Sequence, residues 1–226
     1  ERCQLELNEK QEKLRLGQTA YHRESSRLES LKNITERYDG YGNSIRKVMS
    51  LREKEPGLLG VVADIIQVDK AYEIAVETAL GGSIQNIVTD TEGTAKRMIQ
   101  YLKNNKFGRA TFLPLTSMHG SGGIRDAAAL KEPGVIGLAN TLVRVELKFK
   151  GMVDQLLGRT IVVDHIDHGI AIARKYRQSL RLVTLEGDLI NPGGSMTGGA
   201  FKNSSNLLSR RREIQEFEET VAMLKR

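Results

Sequence analysis

The sequence holds one cysteine, Cys3, and no tryptophan. A lone cysteine excludes an internal disulfide framework and any zinc site built on paired cysteines, and it fits a reducing compartment. Aromatic residues make up only 5% of the 226 residues, which argues against one ordinary core running the whole length. No apolar run approaches the roughly 18 residues that a membrane-spanning helix needs. The opening ERCQLELNEK is charged, so neither a membrane partner nor a signal peptide is expected. No Gly-Lys pair occurs, which removes the GxxxxGK[ST] phosphate loop. No GxGxxG stands at a strand-to-helix turn, and there is no GxSxG. His22 falls among charged heptads and His119 in a glycine-rich loop. Asp164, His165, Asp167 and His168 can be drawn as a metal cluster, but they sit at an expected helix start, where polar residues belong anyway. No metal, cofactor or catalytic residue is therefore expected. What is present is 39% hydrophobic and 27% charged residue content with a net charge of +6. That is enough apolar surface for a core, and the basic excess permits a polyanionic partner without requiring one.

The two ends differ from the middle. Residues 1–37 contain no proline and one glycine, and Leu7, Leu14, Tyr21 and Leu28 recur every seven residues, with Leu31 and Tyr38 as a second seven-spaced pair. The segment is mixed in charge, with eight basic and seven acidic residues. In residues 203–226, Leu207, Ile214 and Val221 repeat the spacing, as do Phe217 and Leu224. Two surface helices packed on the middle would satisfy this pattern. Two ends paired as an antiparallel coiled coil satisfy it better, because a 35-residue helix extends about 50 Å. Residues 38–202 hold 21 of the 22 glycines, all four prolines and a net charge of +4. Strands are expected over 58–68, 84–90 and 109–115, with helices over 70–82 and 91–105.

A degenerate repeat runs through the middle, one copy starting at Val76 and the other at Met152. Val88 and Asp90 match Val162 and Asp164; Ala95, Lys96 and Arg97 match Ala173, Arg174 and Lys175. Such a repeat implies two related subdomains, at about 38–150 and 151–202. Asp90 and Asp164 each precede a helix and are expected to cap it.

Glycines cluster at Gly81-Gly82 and in the run Asn191–Gly199 after the last expected strand. Such a run can be a flexible loop, a cradle for an anion, or a place where two backbones approach closely. GLLGVVADIIQVDKAYEIAVETALGGSIQNIVTD, ATFLPL and LEGDLINPGGSMTGGA, flanked by heptads on both sides, together resemble the hinge domain of structural maintenance of chromosomes (SMC) proteins, closest to the bacterial type. The resemblance covers about 38–202. It implies a mixed α/β hinge of two related subdomains flanked by antiparallel coiled-coil arms. It further implies a homodimer closed head to tail, with Gly81, Gly82, Gly193, Gly194, Gly198 and Gly199 at or near the interface. Changing the last four together to alanine is expected to weaken dimerisation and leave the monomer folded. By the same resemblance, ATP and magnesium belong to head domains outside this stretch. Condensin-type accessory subunits bind elsewhere in the full protein, which works in the cytoplasm on the nucleoid. The competing reading is an α/β domain inserted in a helical hairpin, its glycine loops cradling a small molecule or anion.

No acid occurs between Glu92 and Asp126, an interval that includes Lys96, Arg97, Lys103, Lys106 and Arg109; a second acid-free stretch holds Arg174, Lys175 and Arg177. These are candidates for phosphate-led, sequence-independent DNA contact, in single or double strands. No interleaved aromatic platform is expected beside them.

Overall fold

The computed structural model describes residues 2–38, 40–120, 122–200 and 207–225. In chain order the helices are α1 (Arg2–Glu36), α2 (Asn43–Met49), α3 (Val62–Ile65), α4 (Glu73–Leu80), α5 (Glu92–Asn105), α6 (Lys150–Leu157), α7 (Ile166–Lys175) and α8 (Leu207–Leu224). The strands are β1 (Leu58–Val61), β2 (Gln67–Val68), β3 (Ile87–Thr89), β4 (Phe112–Pro114), β5 (Val135–Leu138), β6 (Val143–Arg144), β7 (Thr160–Val163), β8 (Arg181–Thr184), β9 (Leu189–Ile190) and β10 (Met196–Thr197). The chain divides into two compact units, Glu1–Asp39 with Arg210–Arg226, and Gly40–Ser209.

In the first unit α1 and the body of α8 run antiparallel. Lys32 pairs with Glu218 at 2.6 Å, and the Arg27 guanidinium lies 4.9 Å from the Phe217 ring centre. Tyr21, Leu28, Leu31 and Tyr38 are shielded while Leu7 and Leu14 are exposed. This is the seam of a coiled coil. Glu24 and Thr35 also fall on the shielded face, so polar residues interrupt the apolar heptads.

The second unit is built twice. In the first half β1 pairs antiparallel with β3, and β3 runs parallel to β4. In the second half β5 pairs antiparallel with β7, and β7 runs parallel to β8. The second sheet then continues through β9 to β10. Both β1 and β5 shift register just before a glycine, Gly60 and Gly137. The equivalent strands β2 and β6 pair with each other, Gln67 facing Arg144 and Val68 facing Val143. The equivalent helices α4 and α6 also touch, burying Ala75, Val76 and Ala79 on one and Met152, Val153 and Leu157 on the other. An element that pairs with its own counterpart marks an approximate two-fold axis. A second hydrophobic cluster of Ile161, Val163, Ile172, Leu182 and Ile190 lies beneath α7.

Several expectations shift. The apolar stretch 58–68 is two short strands separated by α3, because an unbroken β-branched run does not distinguish a strand from a buried helical turn. Residues 84 and 85 belong to a 3₁₀ turn, and the strand begins at Ile87; residues 109–111 precede β4. The repeat begins earlier than Val76 and Met152: each half opens on Glu-Pro-Gly, at 55–57 and 132–134. The boundary expected at residue 150 does not separate the sheets, since β5 joins the second one. Of the expected arm 203–226, residues 203–206 and 226 lie outside the described residues.

Candidate interface and basic surface

Both halves close their first strand-to-helix corner in the same way. The Asp90 amide donates to the Gly57 carbonyl at 3.0 Å, and the Asp164 amide to the Gly134 carbonyl at 2.9 Å. Neither aspartate is the cap residue itself. The caps are Thr91 and His165, whose side chains accept from the amides of Thr94 and Asp167. Asp90 Oδ1 instead accepts from the Thr91 amide and the Thr94 hydroxyl, each at 2.6 Å; Asp164 Oδ1 meets His168 Nδ1 at 2.7 Å. The Thr94 and His168 contacts hold the two carboxyls below their ordinary range. A side chain at Gly57 or Gly134 would collide with these groups.

The same corners tie down two of the basic candidates. Arg97 reaches Glu55 at 3.0 Å and Lys175 reaches Glu132 at 2.6 Å. They are equivalent struts from α5 and α7 to the Glu-Pro-Gly turns. Arg97 and Lys175 are therefore committed within the chain. The six others, Lys96, Lys103, Lys106, Arg109, Arg174 and Arg177, are exposed. None of these six makes an ion pair among the described residues.

Two grooves lie at equivalent places, each between the end of a central helix and the approach to the second parallel strand; Gly81 and Gly82 line the first, and Pro192, next to Gly193, lines the second. One, of about 450 Å³, is lined by Gly81, Gly82, Ile84 and Arg109–Thr111. Arg109 thus belongs with the glycines rather than with a separate basic face. The other, of about 440 Å³, is lined by Arg125, Arg159, Ser179–Arg181 and Pro192, so the second glycine run borders it. That run does not come after the last strand. Residues 191–195 are the turn of the β9–β10 hairpin, with the Asn191 amide bonded to the Ser195 carbonyl at 2.9 Å and the Gly193 amide to the Gln178 carbonyl at 2.8 Å. β10 forms one edge of its sheet and β4 one edge of the other.

The glycines have different local reasons. Gly81, Gly193, Gly194 and Gly199 take positive φ values of 52°, 89°, 94° and 131°, which L side chains resist. A side chain at Gly198 would strike the Asp188 carboxylate. Gly82 has neither constraint: its φ is ordinary and a Cβ there would have open space around it. Nothing in its own chain requires glycine at Gly82.

Arg181 links the grooves and was not singled out as a site residue. Its guanidinium, on a partly buried residue, donates to the Ala79 carbonyl at 2.9 Å and the Thr160 hydroxyl at 3.0 Å. It thereby caps the last turn of α4, the turn that delivers Gly81 and Gly82. Burial lowers its pKa, yet a guanidinium stays charged. The sequence signal for this residue was a lone arginine opening an otherwise apolar strand. In the segment drawn as a metal cluster, Asp164 pairs with His168 and the His165 side chain caps α7; among the described residues no group of three or more His, Cys, Asp or Glu that could hold a metal ion occurs.

The family described as SMC proteins Flexible Hinge Domain matches residues 55–173. The chromosome partition protein Smc of Desulfitobacterium hafniense is 43% identical over 202 residues, covering 87% of this chain and 17% of that protein. The Bacillus subtilis protein of the same name is 38% identical over 209 residues, 88% of this chain and 18% of that one. The chain thus spans less than a fifth of the length of these curated relatives. Among solved structures, an asymmetric dimer of the Geobacillus stearothermophilus SMC hinge domain superposes with a TM-score of 0.87 at 35% identity, covering 98% of this chain and 93% of the other. The Pyrococcus furiosus SMC hinge domain gives 0.59 at 32% identity, covering 81% and 91%.

Proposed function

The chain belongs to the SMC hinge family, and from that premise we propose that it is the dimerisation module of a chromosome partition protein. Gly82 carries the reading. Its missing side chain has no cause inside the chain, it lines a groove, and a second backbone lying in that groove would supply the cause. The dimeric Geobacillus hinge and the open sheet edges at β4 and β10 support the same arrangement. In it, the first half of one protomer meets the second half of its partner, so that two equivalent contacts close a two-fold ring. The full protein would carry ATP and magnesium in separate heads, take its accessory subunits outside this domain, and act on the nucleoid in the cytoplasm. A secondary role is sequence-independent DNA contact through the six unpaired basic residues.

Light scattering behind a sizing column tests the main reading. The 25.1 kDa chain should run at about 50 kDa and hold that mass on dilution, as a stable interface does. Gly82→Val should run at about 25 kDa with its circular dichroism preserved and a melting temperature that does not change with protein concentration. A dimer unchanged by Gly82→Val would remove the groove from the interface. This single variant is cleaner than four alanines in the second run. Three of those positions have positive φ and the fourth abuts Asp188, so the monomer itself would be strained, contrary to the expectation from sequence.

A further inference from the structure

Each half hands the chain on across the central helix of the other half. After β4 the chain passes over α6: a side chain at Gly151 would strike the Met118 carbonyl, and a Cβ at Gly120 would lie 3.5 Å from that of Asp154. After β10 the chain reaches α8, whose Leu207 and Leu208 are buried and whose amides at those two residues donate to the Glu77 carboxylate of α4. Counted from the two Glu-Pro-Gly turns, Glu77 and Asp154 stand at equivalent positions, and so do Glu73 and Lys150, one turn before them. The same crossing is thus built twice around an acid.

The two acids are in opposite situations. Asn140 Nδ2 donates to one oxygen of Asp154 and Lys150 Nζ to the other, each at 2.9 Å. The Asn140 amide first, and then the Lys150 ammonium, hold this carboxyl below its ordinary range, so it stays ionised around neutrality. Glu77 has the inverse neighbour. Where the second half has Lys150, the first has Glu73, only 4% exposed. Glu77 Oε2 is buried without a hydrogen bond among the described residues. Burial outweighs the two amides and lifts the Glu77 carboxyl to about 7, with Glu73 adding to the rise. The elements packed against α4 bring few other titratable groups. α6 brings Lys150 and Asp154, paired with each other. β8 brings Arg181, held by Ala79 and Thr160. The turn before α4 brings Lys70 and Tyr72, and the turns Gly81–Gln85 and Ala139–Leu142 bring none. α8 continues with Arg210, Arg211 and Arg212. Of these groups, Glu73 is the neighbour whose charge raises the Glu77 pKa.

We propose that Glu77 is a proton-operated latch on the root of α8. Protonated, it accepts from the Leu207 and Leu208 amides without burying a charge. Ionised beside Glu73, it is better accommodated in water, and the first turn of α8 lets go. The crossing over α6 joins the two halves and is held shut by a lysine. The crossing over α4 leads out to α8 and carries a second acid instead. Because the folded-state pKa is raised, the hold is complete below about pH 4.5 and fades as the pH rises through about 7. The latch needs one chain only and stands apart from the dimer and DNA readings.

Amide hydrogen exchange followed by NMR at about pH 6 and about pH 8, corrected for intrinsic exchange, tests it. Wild-type protection at Leu207 and Leu208 should fall about tenfold between these values, the ratio set by a closed-state pKa near 7 and an open-state value near 4.5. The Met118 amide, on the other crossing, should keep its protection. Glu77→Gln retains an acceptor and cannot ionise, so its protection should be equal at both pH values. Glu73→Gln removes the like charge and should reduce the fall without abolishing it. In wild type the Glu77 carboxyl carbon should titrate over the same range, a readout that needs no variant. The Gly82→Val monomer should show the same fall as wild type. Constant wild-type protection, or a carboxyl carbon titrating near 4.5, overturns the latch. An equal fall at Met118, or a fall that persists in Glu77→Gln, assigns the change to general loosening or to another group and overturns it as well. A fall confined to the dimer places its cause in the interface and not at Glu77.

Discussion

Glu77 shows how far one side chain can depart from its sequence appearance. It looks like an ordinary helix-surface acid in α4. In the fold its carboxylate accepts from the amides of Leu207 and Leu208 in the first turn of α8, and burial pushes its pKa up to about 7, with Glu73 adding to the rise. Among the described residues its Oε2 has no partner. A folded-state pKa above the unfolded value makes its stabilisation complete below about pH 4.5 and lost as the pH rises through about 7. Glu77→Gln keeps an acceptor for the two amides and removes the buried charge. Its melting temperature should match wild type near pH 5 and exceed it at pH 8, by the equivalent of about 1 kcal/mol once solvent screening is allowed for. A wild-type difference constant from pH 5 to 8 would contradict this. Arg181 is the second such residue. Arg181→Met keeps the stem but leaves the Ala79 carbonyl and Thr160 hydroxyl without their donor, costing about 1–3 kcal/mol. Urea unfolding at constant m-value measures it.

At the scale of elements, the corner before α5 and the corner before α7 are one device used twice. Asp90 and Asp164 bind the turn and the helix start together, while Glu55–Arg97 braces the second turn of α5 and Glu132–Lys175 the last turn of α7. Asp90→Ala removes the acceptor for the Thr91 amide and the Thr94 hydroxyl and should cost about 1 kcal/mol. Because the Asp90 carboxyl is held below its ordinary range, its contribution is present above about pH 4 and fades as the pH falls through the lowered value. The difference between Asp90→Ala and wild type should therefore shrink in acid, which chemical denaturation at pH 3 and pH 7 would show. Much of this was legible. The paired aspartates, the basic doublets and both helices were expected at their places. The role of each aspartate was displaced by one residue, since cap geometry depends on backbone angles that spacing does not report. The repeated Glu-Pro-Gly stood in the sequence and marked the true start of each copy.

For the molecule as a whole, the proposed dimer makes stability depend on concentration. If association stabilises the folded state, the melting midpoint should rise with protein concentration for wild type and stay level for Gly82→Val. A level midpoint for both, with a mass of about 25 kDa, would contradict the dimer. The sequence by itself determined the helical ends, the two-copy middle and the glycine clusters. Each is a local matter: heptad spacing, alternating elements and residues without side chains are visible in one dimension. Only the tertiary structure decided that β5 belongs with the second sheet and that the two glycine clusters border equivalent grooves. It also showed that Arg97 and Lys175 are spent on internal struts, and it set Leu207 and Leu208 against Glu77. Those outcomes depend on which distant segments meet across an approximate two-fold axis. Contact between segments far apart in the chain is settled by packing and charge pairing in three dimensions, which no spacing along the chain encodes.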